Sequence, residues 1–305
     1  RLGIMSLATN LAGHSDIVAP YVSHLGSEEQ KQYWLPKLAS GEAVGAIGMT
    51  EPGAGSDLQA IKTNAVADGD DYVINGQKTF ITNGQHADLV ILAVKTDPKA
   101  GARGTTLFLV DSQLDGFSRG RNLDKIGQHA GDTSELYFSD VRTPASSVLG
   151  RVGGGFGHLM DELPRERLAL GVTAVGAAQG CIEQTIEYVQ NRKAFGQAIG
   201  SFQNTRFELA RMKTDLEVNR AFVDHCAALY ANGKLDVPTA AMVKLASTEM
   251  QCRVADGCLQ LFGGYGYMTE YPIARAFADA RVQRIYGGTS EIMKEVIARS
   301  MLGRG

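Results

Sequence analysis

The chain has 305 residues, 44% of them hydrophobic and 21% charged, with a formal net charge of −3. That is the composition of an ordinary globular protein, large enough to bury a sizeable core and to divide into more than one domain. The near-balance of charge leaves no electrostatic footprint for nucleic acid, and the longest apolar runs fall short of the ~20 residues that a membrane-spanning helix needs.

Residues 1–43 read as helical. Ile4, Leu7 and Leu11 share a helical face. Ser27-Glu-Glu-Gln30 has capping-box spacing and opens a segment carrying Tyr33, Trp34 and Leu38. Two or three helices are thin for a domain and are expected to lean on something else. Arg1-Leu-Gly-Ile4 offers neither an initiator methionine nor a helix cap, so the expectation is a trimmed chain.

The pattern then changes. Val44 to Thr50 reads as a strand. Tyr72-Val-Ile74 and Lys78-Thr-Phe-Ile-Thr82 flank Asn75-Gly76, a strong hairpin signal. Leu89–Val94 and Thr106–Val110 are short apolar runs, and Ser134–Phe138 alternates. Turn residues separate these segments, so residues 44–150 are expected to form an all-β domain, a small sandwich or barrel.

Residues 151–305 are helical again. The stretch from Glu166 to Arg192 is rich in glycine and alanine, which permits close helix approach. Apolar residues recur at helical spacing through Leu209, Met212, Leu216 and Val223, and again through Met242, Leu245, Cys252 and Leu259. Pro238 suits a helix start. Shorter helices are expected at 271–281 and 289–301, which together suggest a helical bundle. The fold class is therefore α+β, in the order N-terminal helices, β domain, bundle. Cys181, Cys226, Cys252 and Cys258 lack metal-ligand spacing and read as buried thiols of a reducing compartment; no metal site is expected.

Four motifs carry chemistry. Thr50-Glu-Pro-Gly-Ala-Gly-Ser-Asp57 follows a strand, and its glycines let backbone N–H groups approach an anionic or carbonyl-rich ligand, although a tight turn needs the same residues. Thr79-Phe-Ile-Thr-Asn-Gly84 ends a strand with two hydroxyls beside an aromatic ring. Arg192-Lys-Ala-Phe-Gly-Gln197 closes a helix, with Gly196 placed for a left-handed exit. Gln260-Leu-Phe-Gly-Gly-Tyr-Gly266 is a glycine-rich turn of the kind that approaches phosphate, but it follows no strand, which excludes a Rossmann fingerprint.

In order and spacing, Thr50 to Ser56, Phe80-Ile-Thr82, Arg192 to Gly196, Phe202-Gln203, Gln260 to Gly266 and Ile285 to Glu291 resemble the acyl-CoA dehydrogenase family over essentially the whole chain. The resemblance implies the same succession of N-terminal helices, central β domain and, at the C-terminal end, a four-helix bundle, and a bound FAD. Met49, Thr50 and Ser56 would line the flavin side, with Ser56 also near the substrate thioester. Phe80, a tryptophan in many relatives, and Thr82 would sit against the ring. Arg192, Phe195, Gln203, Gln260, Gly263 and Gly264 would hold the pyrophosphate and adenosine, partly across a subunit interface. Thr289 and Glu291, the latter often glutamine, would follow onto the cofactor. It also implies an acyl-CoA substrate, an electron-transfer flavoprotein as acceptor, a homotetramer built as a dimer of dimers, and the bacterial cytoplasm or mitochondrial matrix.

A thioester α-proton is too weakly acidic to leave unaided. Its removal needs a carboxylate base and hydrogen bonds to the carbonyl oxygen. In the family the base and one of the two carbonyl donors, a backbone N–H that acts beside a flavin ribityl hydroxyl, come from the loop that is Arg284-Ile-Tyr-Gly-Gly-Thr-Ser-Glu-Ile292 here, but the glutamate position is Gly287. Its backbone N–H survives; the base does not. Two family branches, the isovaleryl-CoA and long-chain enzymes, place the base on the bundle helix in a Glu-Arg-Leu pattern, present as Glu166-Arg167-Leu168. The resemblance therefore implies Glu166 as the base, the Gly287 N–H as the carbonyl donor, and Arg167 and Tyr286 beside the substrate.

The alternative for Glu166 is a first-turn helix carboxylate just after Pro164, favoured by the helix dipole. Asp161 and Glu162 are expected to be solvated. Tyr286-Gly-Gly with Leu-Pro-Arg-Glu-Arg looks closer to the long-chain branch, and glycine at 287 is expected to widen the pocket floor for a long or branched acyl chain. The product would be the trans-2-enoyl-CoA. An acyl-CoA oxidase, which passes its electrons to oxygen, and a non-catalytic flavin-binding paralogue are the competing classes; Glu166 speaks against the second.

Overall fold

A computed structural model describes residues 5–303 of the chain, so Ile4 lies outside the described residues. The chain forms two compact units. Of the described residues, one unit comprises Leu7–Lys125 and His129–Glu162, and the other comprises Met5–Ser6, Ile126–Gln128 and Leu163–Gly303.

The first unit opens on helices α1 (Met5–Ala12), α2 (Ala19–Leu25) and α3 (Glu28–Ser40), with a π-helical segment, Gly13–Val18, between α1 and α2. The capping box forms as expected: the Ser27 hydroxyl accepts from the Gln30 N–H, and the Gln30 side chain accepts from the Ser27 N–H. Eight strands follow: β1 (Gly45–Gly48), β2 (Asn64–Asp68), β3 (Asp71–Thr82), β4 (Leu89–Lys95), β5 (Thr105–Asp111), β6 (Phe117–Asn122), β7 (Thr133–Pro144) and β8 (Val148–Leu149). They make one sheet in the order β6-β7-β3-β2-β4-β5-β8, with β1 pairing parallel to β4.

Strand β4 explains the layers. Leu89, Ile91 and Ala93 pack with Val18, Tyr21, Val22 and Leu38 of the helical segments. Val90, Leu92 and Val94 pack with Ile74 of β3, Phe108 of β5, and Leu136 and Phe138 of β7. The sheet thus folds over on itself on one side and carries helices on the other. A strand covered on both faces reads as a continuous apolar run, whereas β7, covered on one face, alternates.

Asn75-Gly76 does not turn the chain. Strand β3 runs through it, and the turn to β2 falls at Gly69, which is left-handed with φ 64°. At Gly76 the register against β7 shifts, and a Cβ there would stand 2.5 Å from Thr63 Oγ1. Asn75 and Asp140 exchange two hydrogen bonds of 2.9 Å beside this irregularity. The pair that resembled a hairpin turn is a bulge at a close approach of backbone.

The second unit is helical. It holds the part of α4 (Gly155–Asn191) from Leu163 onward, a two-residue hairpin β9 (Lys193–Ala194) and β10 (Gln197–Ala198), then α5 (Gln203–Ala231), α6 (Val237–Phe262), α7 (Pro272–Ala280) and α8 (Ser290–Leu302). Leu168, Val175 and Ile182 of α4 meet Met212, Leu216 and Val223 of α5 and Val243, Met250 and Val254 of α6 in one core. Gly171 marks the closeness expected of this stretch, since a Cβ there would stand 3.3 Å from Val243 Cγ2. Cys181, Cys226 and Cys258 are buried and Cys252 is half-buried, all as free thiols. Burial pushes the Cys258 thiol up to about 11, so it stays protonated and inert.

Two local expectations change. Helix α4 begins at Gly155, so Pro164 lies inside it and Glu166 stands about three turns in, not in a first turn. The chain at Arg192–Gln197 does not merely exit a helix: Phe195 (φ 52°) and Gly196 (φ 79°) form the left-handed two-residue turn between β9 and β10.

Candidate active site

In the first unit the loop after β1 is pinned to β3 from below. Lys78, fully buried, donates to Met49 O at 3.0 Å and to Glu51 Oε1 at 2.8 Å. Glu51 also accepts from the backbone N–H groups of Lys62 (2.6 Å) and Thr63 (3.0 Å). Burial works against the Glu51 carboxylate, but the Lys78 charge and these donors outweigh it and hold its pKa below the ordinary value. Burial also dominates at Lys78, lowering it to about 8 against the pull of Glu51. The Thr79 N–H donates to Thr50 O at 2.9 Å, which lays the loop beside the strand end.

The predicted flavin-side residues follow from this scaffold. Met49 and Thr50 are half-buried next to β3. Phe80 sits at a register shift of β3 against β7 with φ 59°, and the kink leaves its ring 66% exposed. Thr82 ends the strand half-buried, and Ser56 is exposed beyond the Glu51–Ala54 bridge.

In the second unit two groups form. The first surrounds a cavity of about 540 Å³ lined by Tyr188, Arg192, Gln260, Phe262, Gly263 and Gly264 among others. Gly263 is left-handed at φ 60°, and a Cβ at Gly263 or Gly264 would meet nothing within 4 Å. That bare backbone faces open space, and the Arg192 guanidinium stands 5.3 Å from the Tyr265 ring centre. Exposed peptide groups, a guanidinium and flat aromatic rings suit a ligand carrying phosphates and a heteroaromatic base. Phe195, at the tip of the β9–β10 turn, is 95% exposed, and Gln203 opens α5 on the surface.

The second group is built around two buried charged residues. Glu166 and Arg167 are each 5% exposed. Burial lowers the Arg167 pKa while the Glu166 charge opposes the shift. The buried Arg167 Nε has no hydrogen-bond partner among the described residues, so an acceptor from a ligand would complete it. Gly287 has φ 63° and Gly288 φ 95°; a Cβ on Gly288 would lie 3.8 Å from Arg167 Nη2. Tyr286 is half-buried just before them. Thr289 caps α8, its hydroxyl accepting from the Ile292 N–H, and Glu291 lies exposed in the first turn of that helix.

Two expectations are corrected here. The space that Gly287 vacates is not open, because a Cβ on it would stand 2.5 Å from Leu170 Cδ1. Of the two acidic residues before the motif, Asp161 is exposed, but Glu162 is buried, with Oε1 2.7 Å from His24 Nδ1. Lys244 escaped notice altogether. It is fully buried in α6 and donates to Gly288 O at 2.6 Å. Its signal was legible: Ala240, Lys244, Ser247, Gln251, Val254 and Cys258 follow one another at three- and four-residue steps, so a lysine sits in the middle of the inward stripe.

Family models match the chain as the acyl-CoA dehydrogenase N-terminal domain over residues 2–42, the middle domain over 46–141 and the C-terminal domain over 153–302. The chain is 52% identical over 291 residues to a long-chain specific acyl-CoA dehydrogenase, mitochondrial, of Sus scrofa, covering 95% of this chain and 68% of that one. It superposes on the acyl-CoA dehydrogenase from Geobacillus kaustophilus with a TM-score of 0.95 at 50% identity, covering 97% of this chain and 78% of the other. A glutaryl-CoA dehydrogenase from Mycobacterium smegmatis, in complex with FADH2, aligns with a TM-score of 0.91 at 31% identity over 97% of this chain and 75% of its own. The chain belongs to the acyl-CoA dehydrogenase family: it is a flavoprotein oxidoreductase, and its cofactor is FAD.

Proposed function

We propose that this acyl-CoA dehydrogenase acts on a long-chain acyl-CoA thioester, removing hydrogen across the α and β carbons to give the trans-2-enoyl-CoA, with Glu166 as its base. The observation that carries the reading is the complementarity of two positions. Gly287 has no side chain, a left-handed backbone and Leu170 packed where a Cβ would go, while Glu166 is a buried carboxylate beside Arg167. The name of the Sus scrofa relative supports the chain-length class.

The bound FAD supplies a hydride acceptor for the substrate β-carbon. The residues of this chain do the rest. Glu166 takes the α-proton. The Gly287 N–H donates to the thioester carbonyl oxygen, where negative charge develops as the proton leaves. Arg167 gives the Glu166 charge a buried counterpart, and its unpartnered Nε meets substrate on the side of Tyr286 and Gly287. Met49, Thr50, Ser56, Phe80 and Thr82 hold the flavin end. Arg192, Phe195, Gln203, Gln260, Gly263 and Gly264 would hold the pyrophosphate and adenosine, and Thr289 and Glu291 would follow the loop onto the cofactor. In this reading the domains are residues 1–43, 44–150 and 151–305.

Electrons leave to an electron-transfer flavoprotein, and the enzyme is a homotetramer, a dimer of dimers. Exposed apolar side chains support that assembly: Phe207 (62%) and Val218 (65%) on α5, and Met301 (74%) on α8. Among the described residues no helix is long and apolar enough to cross a membrane. The enzyme works in the mitochondrial matrix, as the Sus scrofa relative's name supports, or in the cytoplasm of a bacterium.

The test is Glu166→Gln, followed by anaerobic flavin bleaching with an acyl-CoA series. Flavin reduction is expected to slow by roughly a hundred- to ten-thousand-fold, the range for losing a general base, with FAD content unchanged and the fastest wild-type bleaching on long chains. A Glu166→Gln protein that bleaches at the wild-type rate places the base elsewhere.

A further inference from the structure

We infer that Lys244 is a positioning residue for the reaction: its buried ammonium holds the Gly288 carbonyl and so fixes the turn of residues 287–289, whose backbone N–H groups face substrate and cofactor. The inference rests on the reading of Gly287 as the carbonyl donor.

The turn needs an external hold. Gly287 and Gly288 both have positive φ, 63° and 95°. Glycine populates either sign of φ with similar ease, so two in succession leave the path of the chain undecided. Leu170 Cδ1 and Met293 Cε, each within 2.6 Å of a notional Cβ, would have to move aside for a side chain at these positions. Such apolar contacts do not orient a peptide plane. The Lys244 bond does. At 2.6 Å to Gly288 O it lies at the short end for N–H···O and has a charged donor. The chain has no cis peptide bond among the described residues. In a planar trans peptide the C=O and N–H point to opposite sides. Drawing Gly288 O inward to α6 therefore turns the Thr289 N–H outward, at the head of α8.

The surroundings show that packing alone does not account for a lysine here. Arg167 approaches from α4 and Arg284 from the turn before the loop, both cationic. Glu291 on α8 is the opposing charge, and Cys252 lies on the same helix. Burial, reinforced by Arg167, pushes the ammonium down to about 8. An ammonium kept among two guanidiniums is a poor filler compared with a methionine of similar length. What a methionine lacks is the donor to Gly288.

The test uses the holoenzyme and the variants Lys244→Met and Lys244→Arg. Amide exchange is followed over residues 285–292. Flavin reduction by palmitoyl-CoA is followed anaerobically, and binding of a non-oxidisable 3-thia acyl-CoA by its perturbation of the flavin spectrum. In Lys244→Met, exchange in this segment is expected to speed up while α6 stays protected. Reduction should slow by roughly ten- to a hundred-fold, the effect of misplacing reacting groups by about 1 Å, with the analogue's Kd changed less than about threefold. Lys244→Arg, which keeps a charged donor, should recover part of the rate. Should Lys244→Met not fold, Lys244→Gln, whose shorter amide falls short of Gly288 O, carries the same expectations. Wild-type exchange and rate in the variant, or faster exchange spread through the whole bundle, would overturn the inference. Glu166→Gln run in parallel separates the two readings. If it reduces at the wild-type rate, the base assignment falls, and the exchange of residues 285–292 still decides the role of Lys244.

Discussion

Leu170 Cδ1 stands 2.5 Å from the point that a Cβ on Gly287 would occupy. Leu170 lies four residues beyond Glu166 on α4, and residues so spaced share a helix face. The helix that carries the carboxylate thus also fills the room a loop side chain would need.

The first prediction follows from that contact. Gly287→Ala should destabilise the protein by about 1–3 kcal/mol, combining left-handed strain and overpacking, and Leu170→Ala in the same chain should lower that penalty in a double-mutant cycle read by urea unfolding. For the same reason, moving the base by combining Glu166→Gly with Gly287→Glu should restore little flavin reduction. Adding Leu170→Ala should restore more, and best with unbranched acyl chains. Equal recovery with and without Leu170 would show that the contact does not govern the site.

A second prediction concerns Glu51 and Lys78, a buried pair 2.8 Å apart beneath Met49 and Thr50. Glu51→Ala leaves a buried ammonium without its counter-charge and should cost about 3–5 kcal/mol. Replacing both, Glu51→Gln with Lys78→Met, should cost less than the single change. Because the pair holds the loop, FAD content should fall alongside stability. The Glu51 pKa is depressed in the fold, so its contribution is present above the ordinary carboxylate pKa and lost as pH falls through the lower folded value. Acid unfolding of Glu51→Gln should therefore be shallower than that of wild type.

Much of this was legible beforehand, and the failures share a cause. The capping box at Ser27 and the α5 stripe through Met212, Leu216 and Val223 depend on local pattern and formed as read, whereas on α6 the residues read as the stripe, Met242, Leu245, Cys252 and Leu259, are only half-buried and the buried face runs through Val243, Met250, Val254 and Cys258. Asn75-Gly76 failed because a glycine that permits a turn also permits a bulge, and only Thr63, across the sheet, decides between them. Gly196 was read as a helix exit because the partner strand needed for a hairpin is two residues long. The open floor at Gly287 failed because Leu170 is far away in sequence. Glu162 looked solvated until His24 was brought beside it. Lys244 is absent from the α6 stripe because that stripe follows the apolar residues alone, although its spacing places it on the inward face.

Phe195 gives a third prediction. It holds a left-handed conformation at φ 52° with its ring 95% exposed, touching the Phe202 ring edge-on at 6.1 Å. Asparagine tolerates that backbone better than an aromatic residue. Phe195→Asn should leave the bundle's stability unchanged or raise it by up to about 1 kcal/mol, while FAD dissociates more readily. A variant that keeps FAD as tightly as wild type through gel filtration would argue that the ring contributes nothing to cofactor binding.

The last prediction uses Lys244 as a titrating group. Its pKa falls to about 8 in the fold, mainly by burial, from an unfolded value of 10.5. Between these values the unfolded chain binds more protons than the folded one at this site, so folding stability rises with pH there. Below pH 8 both states are protonated and the site contributes no slope. Above 10.5 both are neutral and the gain is complete. The size is on the order of 3 kcal/mol, since each tenfold change in proton affinity is worth about 1.36 kcal/mol. Lys78 titrates in the same range, so the total curve does not isolate Lys244. The difference between wild type and Lys244→Met does. Urea unfolding of both proteins from pH 7 to 10.5 should show wild type gaining on the variant as pH rises. A gap that stays constant or widens in the variant's favour would mean that the ammonium is not held at the depressed value.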